Sequence, residues 1–208
     1  MDSFLRWLRN AKLPLKWCVL WFCLLQIGIS FAAPTNVRVD RIFPRHMDGG
    51  LSAEVKLTFS DYQVLKETMD KVGGAFIFVY DYRFVRVRSL WWDELLSESR
   101  VESRVWFNPF DKKYRIEKDG LTEVIPDFSQ VIQRLSNPVP VRLVSLYRLE
   151  QGKLYQMEVR LSLSDQGVPR FLQIDRINNK DWFFDSDWYR QYYQLTAPIE
   201  DRSKGGSP

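Results

Sequence analysis

Cysteine and histidine are scarce: the 208 residues hold two Cys, Cys18 and Cys23, and one His, His46. If the N-terminal segment is removed, the chain has no disulfide, no thiol nucleophile and no Cys/His zinc site, and a His-based triad would have to use His46. That residue sits in a turn-like stretch, Pro44 to Gly50, which is poor support for a triad. Ten Gly and ten Pro are too few for a collagen-like or low-complexity chain, and no internal repeat recurs. Long apolar runs are missing as well. The longest, Trp17 to Phe31, is interrupted by Gln26, Gly28 and Ser30, and falls short of the roughly 20 residues of a permanent membrane span.

That run follows Arg6, Arg9, Lys12 and Lys16 and precedes Ala32-Ala33-Pro34, the order of a secretory signal. Small residues at Ser30 and Ala32 place the expected cut after Ala32, with an uncleaved N-terminal anchor as the alternative. Neither cysteine follows a small residue, so lipidation is not expected. An excess of one charge is the next absence. Four of the 30 basic and one of the 26 acidic residues lie in 1–32, which leaves 26 against 25 and a net charge of +1. The pI near 9.0 therefore gives no case for nucleic acid. About 176 residues without disulfides can still bury roughly 70% of the unfolded surface.

What the chain has is alternation. Tyr155, Met157, Val159, Leu161 and Leu163 alternate with polar residues, as do Leu51, Ala53, Val55, Leu57 and Phe59, and both segments predict strands with one wet face. Segments 36–43, 98–107, 112–118, 121–125, 140–149 and 171–177 predict further strands. Asn108-Pro109, Asp119-Gly120 and Gln151-Gly152 are expected as hairpin connectors. Two short helices are expected. One spans 61–72 with a Ser60/Gln63 capping box, a face of Tyr62, Leu65, Met69 and Val72, and a Gly73-Gly74 stop. The other spans 127–135 and buries Phe128, Val131, Ile132 and Leu135. The expected fold is α+β, mostly β: an antiparallel sheet or sandwich over 33–198 with two short helices packed on it. Residues 199–208 read as a disordered tail.

Three constellations carry candidate chemistry. Phe76, Phe78, Tyr80, Tyr82 and Phe84 form an aromatic stripe that reads as a buried sheet face sooner than a stacking platform. Arg86 and Arg88 follow it where the strand is expected to leave the sheet, as solvated arginines or an anion site. Glu98, Arg100, Glu102 and Arg104 alternate in sign on one strand face, a pattern for a solvent face or a guarded edge. Arginines two residues away would keep those carboxylates ionised, which disfavours general-acid chemistry. The densest segment, 178–193, sets Asp181, Asp185 and Asp187 among Trp182, Trp188 and other aromatics. Its spacing is wrong for an EF-hand. It is read as a closing turn and final strand, with a sugar subsite as the alternative and Trp188 expected to bury against the 76–84 stripe.

Four motifs, Arg88-Ser89-Leu90-Trp91-Trp92-Asp93-Glu94, Tyr114-Arg115-Ile116, Met157 to Leu163 and Asn179 to Trp188, resemble those of a family of bacterial exported proteins catalogued as domain of unknown function 4390. The resemblance implies no established activity, cofactor or ligand. It does imply frequent encoding beside a sensor histidine kinase of the nitrogen-regulation type. The expected role is a non-enzymatic periplasmic interaction or envelope-signalling accessory protein, with the sensory domain of a membrane histidine kinase as a candidate partner. Membrane contact is expected only through the N-terminal segment, and neither cofactor nor metal is expected. The alternative is a cell-wall carbohydrate binder or carboxylate hydrolase. Either role would use a surface drawn from Asp181, Trp182, Asp185, Asp187, Trp188, Arg86 and Arg88.

Overall fold

The computed structural model describes residues 36–72, 74–164, 166 and 184–196, all within the unit Pro34–Pro208. The expected signal segment, the strand expected at 171–177, Asp181, Trp182 and the expected tail lie outside the described residues. The described elements are β1 (Val37–Met47), β2 (Gly50–Phe59), α1 (Gln63–Val72), β3 (Phe76–Arg86), β4 (Glu94–Asn108) and β5 (Lys113–Lys118). They continue with β6 (Leu121–Ile125), α2 (Phe128–Ser136), β7 (Val141–Ser145), a single 3₁₀ turn (Leu146–Arg148), β8 (Leu154–Leu163) and β9 (Tyr189–Gln194). They build an α+β, mostly β sandwich. A three-stranded sheet, β1-β2-β7, faces a six-stranded sheet, β6-β5-β4-β3-β8-β9, and every paired neighbour is antiparallel.

The central strand β3 sets the two faces of the large sheet. Phe76, Phe78, Tyr80, Tyr82 and Phe84 are all buried on its inner face. Phe59 of β2 meets Phe78 edge-on at 6.3 Å, and the Tyr80 hydroxyl donates to the Leu135 carbonyl of α2 at 2.8 Å. The aromatic stripe thus lies beneath both the small sheet and a helix. Helix α2 buries Phe128, Val131, Ile132 and Leu135, the face expected from the 3.6-residue period. Phe128 packs its ring against Tyr114 at 5.1 Å and Tyr62 at 6.0 Å, which ties α2 to β5 and to the start of α1. Leu65 and Met69 of α1 are fully buried.

Several local expectations are corrected. Ser60 makes no capping box: its backbone N–H continues the β1–β2 ladder to the Asn36 carbonyl, and Asp61 accepts the Gln63 N–H instead. Strand β1 runs to Met47 rather than stopping at 43, because among the described residues it pairs only with β2 and an edge strand tolerates Pro44. His46 is therefore in a strand, and the turn is the two-residue Asp48-Gly49, with φ of 49° and 67°. Asp119-Gly120 repeats this geometry between β5 and β6, with φ of 51° and 76°. Asp and Gly are the residues that tolerate the left-handed conformation such hairpins need. The strand expected over 140–149 breaks after Ser145, where the Leu146 N–H turns to the Gly49 carbonyl. Gln151-Gly152 consequently carries the chain from the small sheet to the large one and is not a hairpin.

Two neighbouring phenols separate hydrogen bonding from burial. Tyr82 is as buried as Tyr80, yet its hydroxyl has no partner among the described residues. Burial raises the pKa of both, so both hydroxyls stay protonated. Tyr82→Phe is expected to stabilise the domain by up to about 1 kcal/mol, since it removes a buried unpaired group, whereas Tyr80→Phe should cost about 1 kcal/mol. Denaturant melts of the two variants check the opposite signs.

Candidate functional site

The outer face of the large sheet carries the charge pattern seen in the sequence, but its partners lie across strands rather than along them. Arg83 of β3 donates to Glu98 of β4 at 3.0 Å, and Arg190 of β9 to Glu158 of β8 at 3.0 Å. Arg104 and Glu117 approach to 3.6 Å. The register forces this arrangement: Arg100, Asp81 and Arg160 stand side by side on β4, β3 and β8. Strand β4 is internal, so the ladder is a solvent face and not an edge. Asp81 is almost fully buried and accepts from Arg100 at 2.9 Å and Arg160 at 2.8 Å. Burial alone would raise its pKa. The two guanidinium hydrogen bonds and their charges outweigh that, so its carboxyl lies below the usual aspartate value.

Trp188 belongs to this face and not to the core. Its ring lies 4.6 Å from the Arg83 guanidinium and 4.8 Å from that of Arg160. The expectation that it would pack on the 76–84 stripe is corrected by register. Tyr189 pairs with Val159, an inward residue, so strand alternation turns Trp188 outward. Phe184 is the residue that fills the core. Between them, the Asp185 carboxylate accepts the Leu163 N–H at 2.7 Å, and the Ser186 hydroxyl accepts the Leu161 N–H at 2.9 Å. Asp185 is thus engaged with the backbone of β8, while Asp187 is exposed.

Arg88 is exposed, as expected, Arg86 is half-buried, and carboxylates engage both. Arg86 pairs with Glu150 at 2.6 Å and Glu94 at 3.5 Å, and Arg88 also binds Glu94. The antiparallel return of β4 sets Glu94 directly opposite Arg86. In the loop between these strands, the Asp93 carboxylate accepts the Arg88 N–H at 3.1 Å. His46 Nε2 and the Tyr193 hydroxyl are 2.8 Å apart, a link between the two sheets. His46 therefore has a phenol beside it.

Sequence reasoning missed a second feature, an open cleft of about 510 Å³. Ile116, Leu121, Leu135, Pro138 and Val139 supply apolar walls, between β5–β6 and the C-terminal end of α2. Arg134 and Glu123 bridge at its rim at 2.7 Å, while Lys118 makes no ion pair among the described residues. Strand β6 pairs with β5 alone, so among the described residues its other edge is free. Leu121 beside the Asp119-Gly120 turn and Val139 between Pro138 and Pro140 were the available signal, and both are exposed.

A family model matches residues 35–191, three quarters of the chain. The chain belongs to the family described as Domain of unknown function (DUF4390). The match spans β1 to the first half of β9, so both sheets of the sandwich belong to the DUF4390 domain. No curated protein and no solved structure matches it.

Two outcomes follow for the DUF4390 domain. Trp188→Ala should cost about 1–2 kcal/mol, the scale of partly exposed cation–π contacts, and not the 3–5 kcal/mol of an emptied aromatic core site, as read from thermal melts. Asp81→Asn should cost about 1–3 kcal/mol at neutral pH. Because the folded pKa of Asp81 is depressed, its contribution is present above about pH 4 and is lost as pH falls through the folded value. Wild type and Asp81→Asn should therefore converge in stability at the acid end of a pH series.

Proposed function

We propose that this chain is a non-enzymatic interaction protein of the cell envelope, exported by its N-terminal segment and docking a protein partner in the cleft beside β6. The observation that carries this reading is the pairing of an apolar cleft with a strand edge that is free among the described residues. An extended segment of a partner can add main-chain hydrogen bonds to the edge and place an apolar side chain in the cleft. Lys118 favours an acidic residue on that segment. The engagement of one acidic candidate is consistent with a binding role: the Asp185 carboxylate is bound to backbone. The gene neighbourhood implied by the family resemblance makes the sensory domain of a membrane histidine kinase the first partner to try. The N-terminal segment would either be cut after Ala32 or remain as an anchor.

Leu121→Asp combined with Val139→Asp puts two carboxylates in the cleft without touching the core. Calorimetric titration with the purified kinase sensory domain should show binding to the wild type and at least tenfold weaker binding to the double variant, about 1.4 kcal/mol. Equal affinities would remove the cleft from consideration. Tryptophan quenching by cell-wall glycan fragments would instead favour the carbohydrate reading.

A further inference from the structure

Twelve large apolar side chains are exposed among the described residues, and eight of them gather at one end of the sandwich. Leu90, Trp91 and Trp92, on the loop between β3 and β4, are 88%, 78% and 92% exposed. Leu95 and Tyr192 flank that loop on one row of the outer face, running Leu95, Val85, Gln156, Tyr192 across four strands. Leu154 begins β8, where its carbonyl accepts the Val87 N–H. From the small sheet, Met47 closes β1 and Tyr147 sits in the 3₁₀ turn that follows β7. The His46–Tyr193 contact holds both sheets level at this end.

The charges at this end divide unevenly. Its acids Glu94 and Glu150 are held by Arg86 and Arg88, and Asp93 accepts a backbone N–H. Arg142, Arg148 and Lys153 face no carboxylate among the described residues, against two acids that face no cation there, Asp48 and Asp93. The end therefore presents aromatic and aliphatic side chains with free cations among them.

We propose that this end of the domain docks on a phospholipid bilayer, with Leu90, Trp91 and Trp92 in the interfacial zone and Arg148 and Lys153 at headgroup phosphates. Trp and Tyr join an apolar ring to a polar handle and concentrate at membrane interfaces for that reason. Interfacial insertion reaches about 5–10 Å, the scale of one protruding loop. A broad, soft layer can receive side chains from separate chain segments in both sheets at once. A protein pocket would have to match each of them. The surface lies at the Met47 end of β1, an 11-residue strand spanning about 35 Å from Val37. It is distinct from the cleft, so either reading stands if the other fails.

The test uses the full chain carrying C18S and C23S, with bimane attached through W92C in one sample and through F110C in another. Phe110 is 97% exposed on the β4–β5 loop, at the other end of β4 from the tip. On vesicles of phosphatidylethanolamine with some phosphatidylglycerol, the label at position 92 should shift to the blue and be quenched by lipids spin-labelled near the carbonyl. The label at 110 should keep its aqueous spectrum, which separates tip insertion from attachment by the N-terminal segment alone. Leu90→Ser with Trp91→Ser should lower the quenching roughly tenfold. Arg148→Glu with Lys153→Glu should weaken it and remove its dependence on phosphatidylglycerol. None of these side chains is in the core, so melting temperatures should be unchanged. A label at 92 that stays aqueous, shields no better than the label at 110, or is shielded only when crosslinked to another protein in intact cells would overturn the proposal.

Discussion

Five aromatic rings on one side of one strand have to be kept from water, and the sandwich is the consequence. A strand presents alternate residues to opposite faces, so burying Phe76, Phe78, Tyr80, Tyr82 and Phe84 commits Asp81 and Arg83 to the other side. The rings need a thick cover, which the small sheet and α2 supply through Phe59 and Leu135. The polar side needs compensation, which β4 and β8 supply through Arg100, Arg160 and Glu98. A shift of one residue in register would exchange these two sets, putting carboxylate in the core and phenylalanine in solvent. The ion pairs across the outer face and the packing beneath are thus two readings of one register.

Much of this was legible in the sequence because it rests on period. Strands β2, β4, β5, β6 and β8 and the buried face of α2 all follow from residues two, three or four apart. The misreadings arose where long-range pairing decided a local matter. Ser60 has the right neighbours for a cap, but Asn36 claims its N–H from 24 positions away. Pro44 suggests a strand end, yet an edge position among the described residues makes it harmless. Trp188 has the composition of a core residue, and its side of the sheet is fixed by Tyr189 pairing with Val159.

The candidate surfaces were harder to read than the fold. Acidic and aromatic density marked 178–193, in whose described part the structure spends Asp185 on backbone and Trp188 on arginine. The cleft depends on β5, β6 and α2 converging, and no short window of sequence contains all three. Trp91 and Trp92 carried part of the family resemblance, but composition cannot distinguish a tryptophan that fills a core from one that stands clear of it. Burial is a property of the assembled sheets.

The contact between His46 and Tyr193 also bears on how the chain comes to be folded. It joins residues 147 positions apart, and β9 completes the large sheet from the far end of the domain. Until residues 189–194 have been synthesised, β8 lacks its outer neighbour and Tyr193 cannot reach the small sheet. Sheets dominated by such distant pairings form slowly, because loop closure must precede the contacts that reward it. A nascent chain of this protein therefore has no closed sandwich to rest in until nearly its last strand is made.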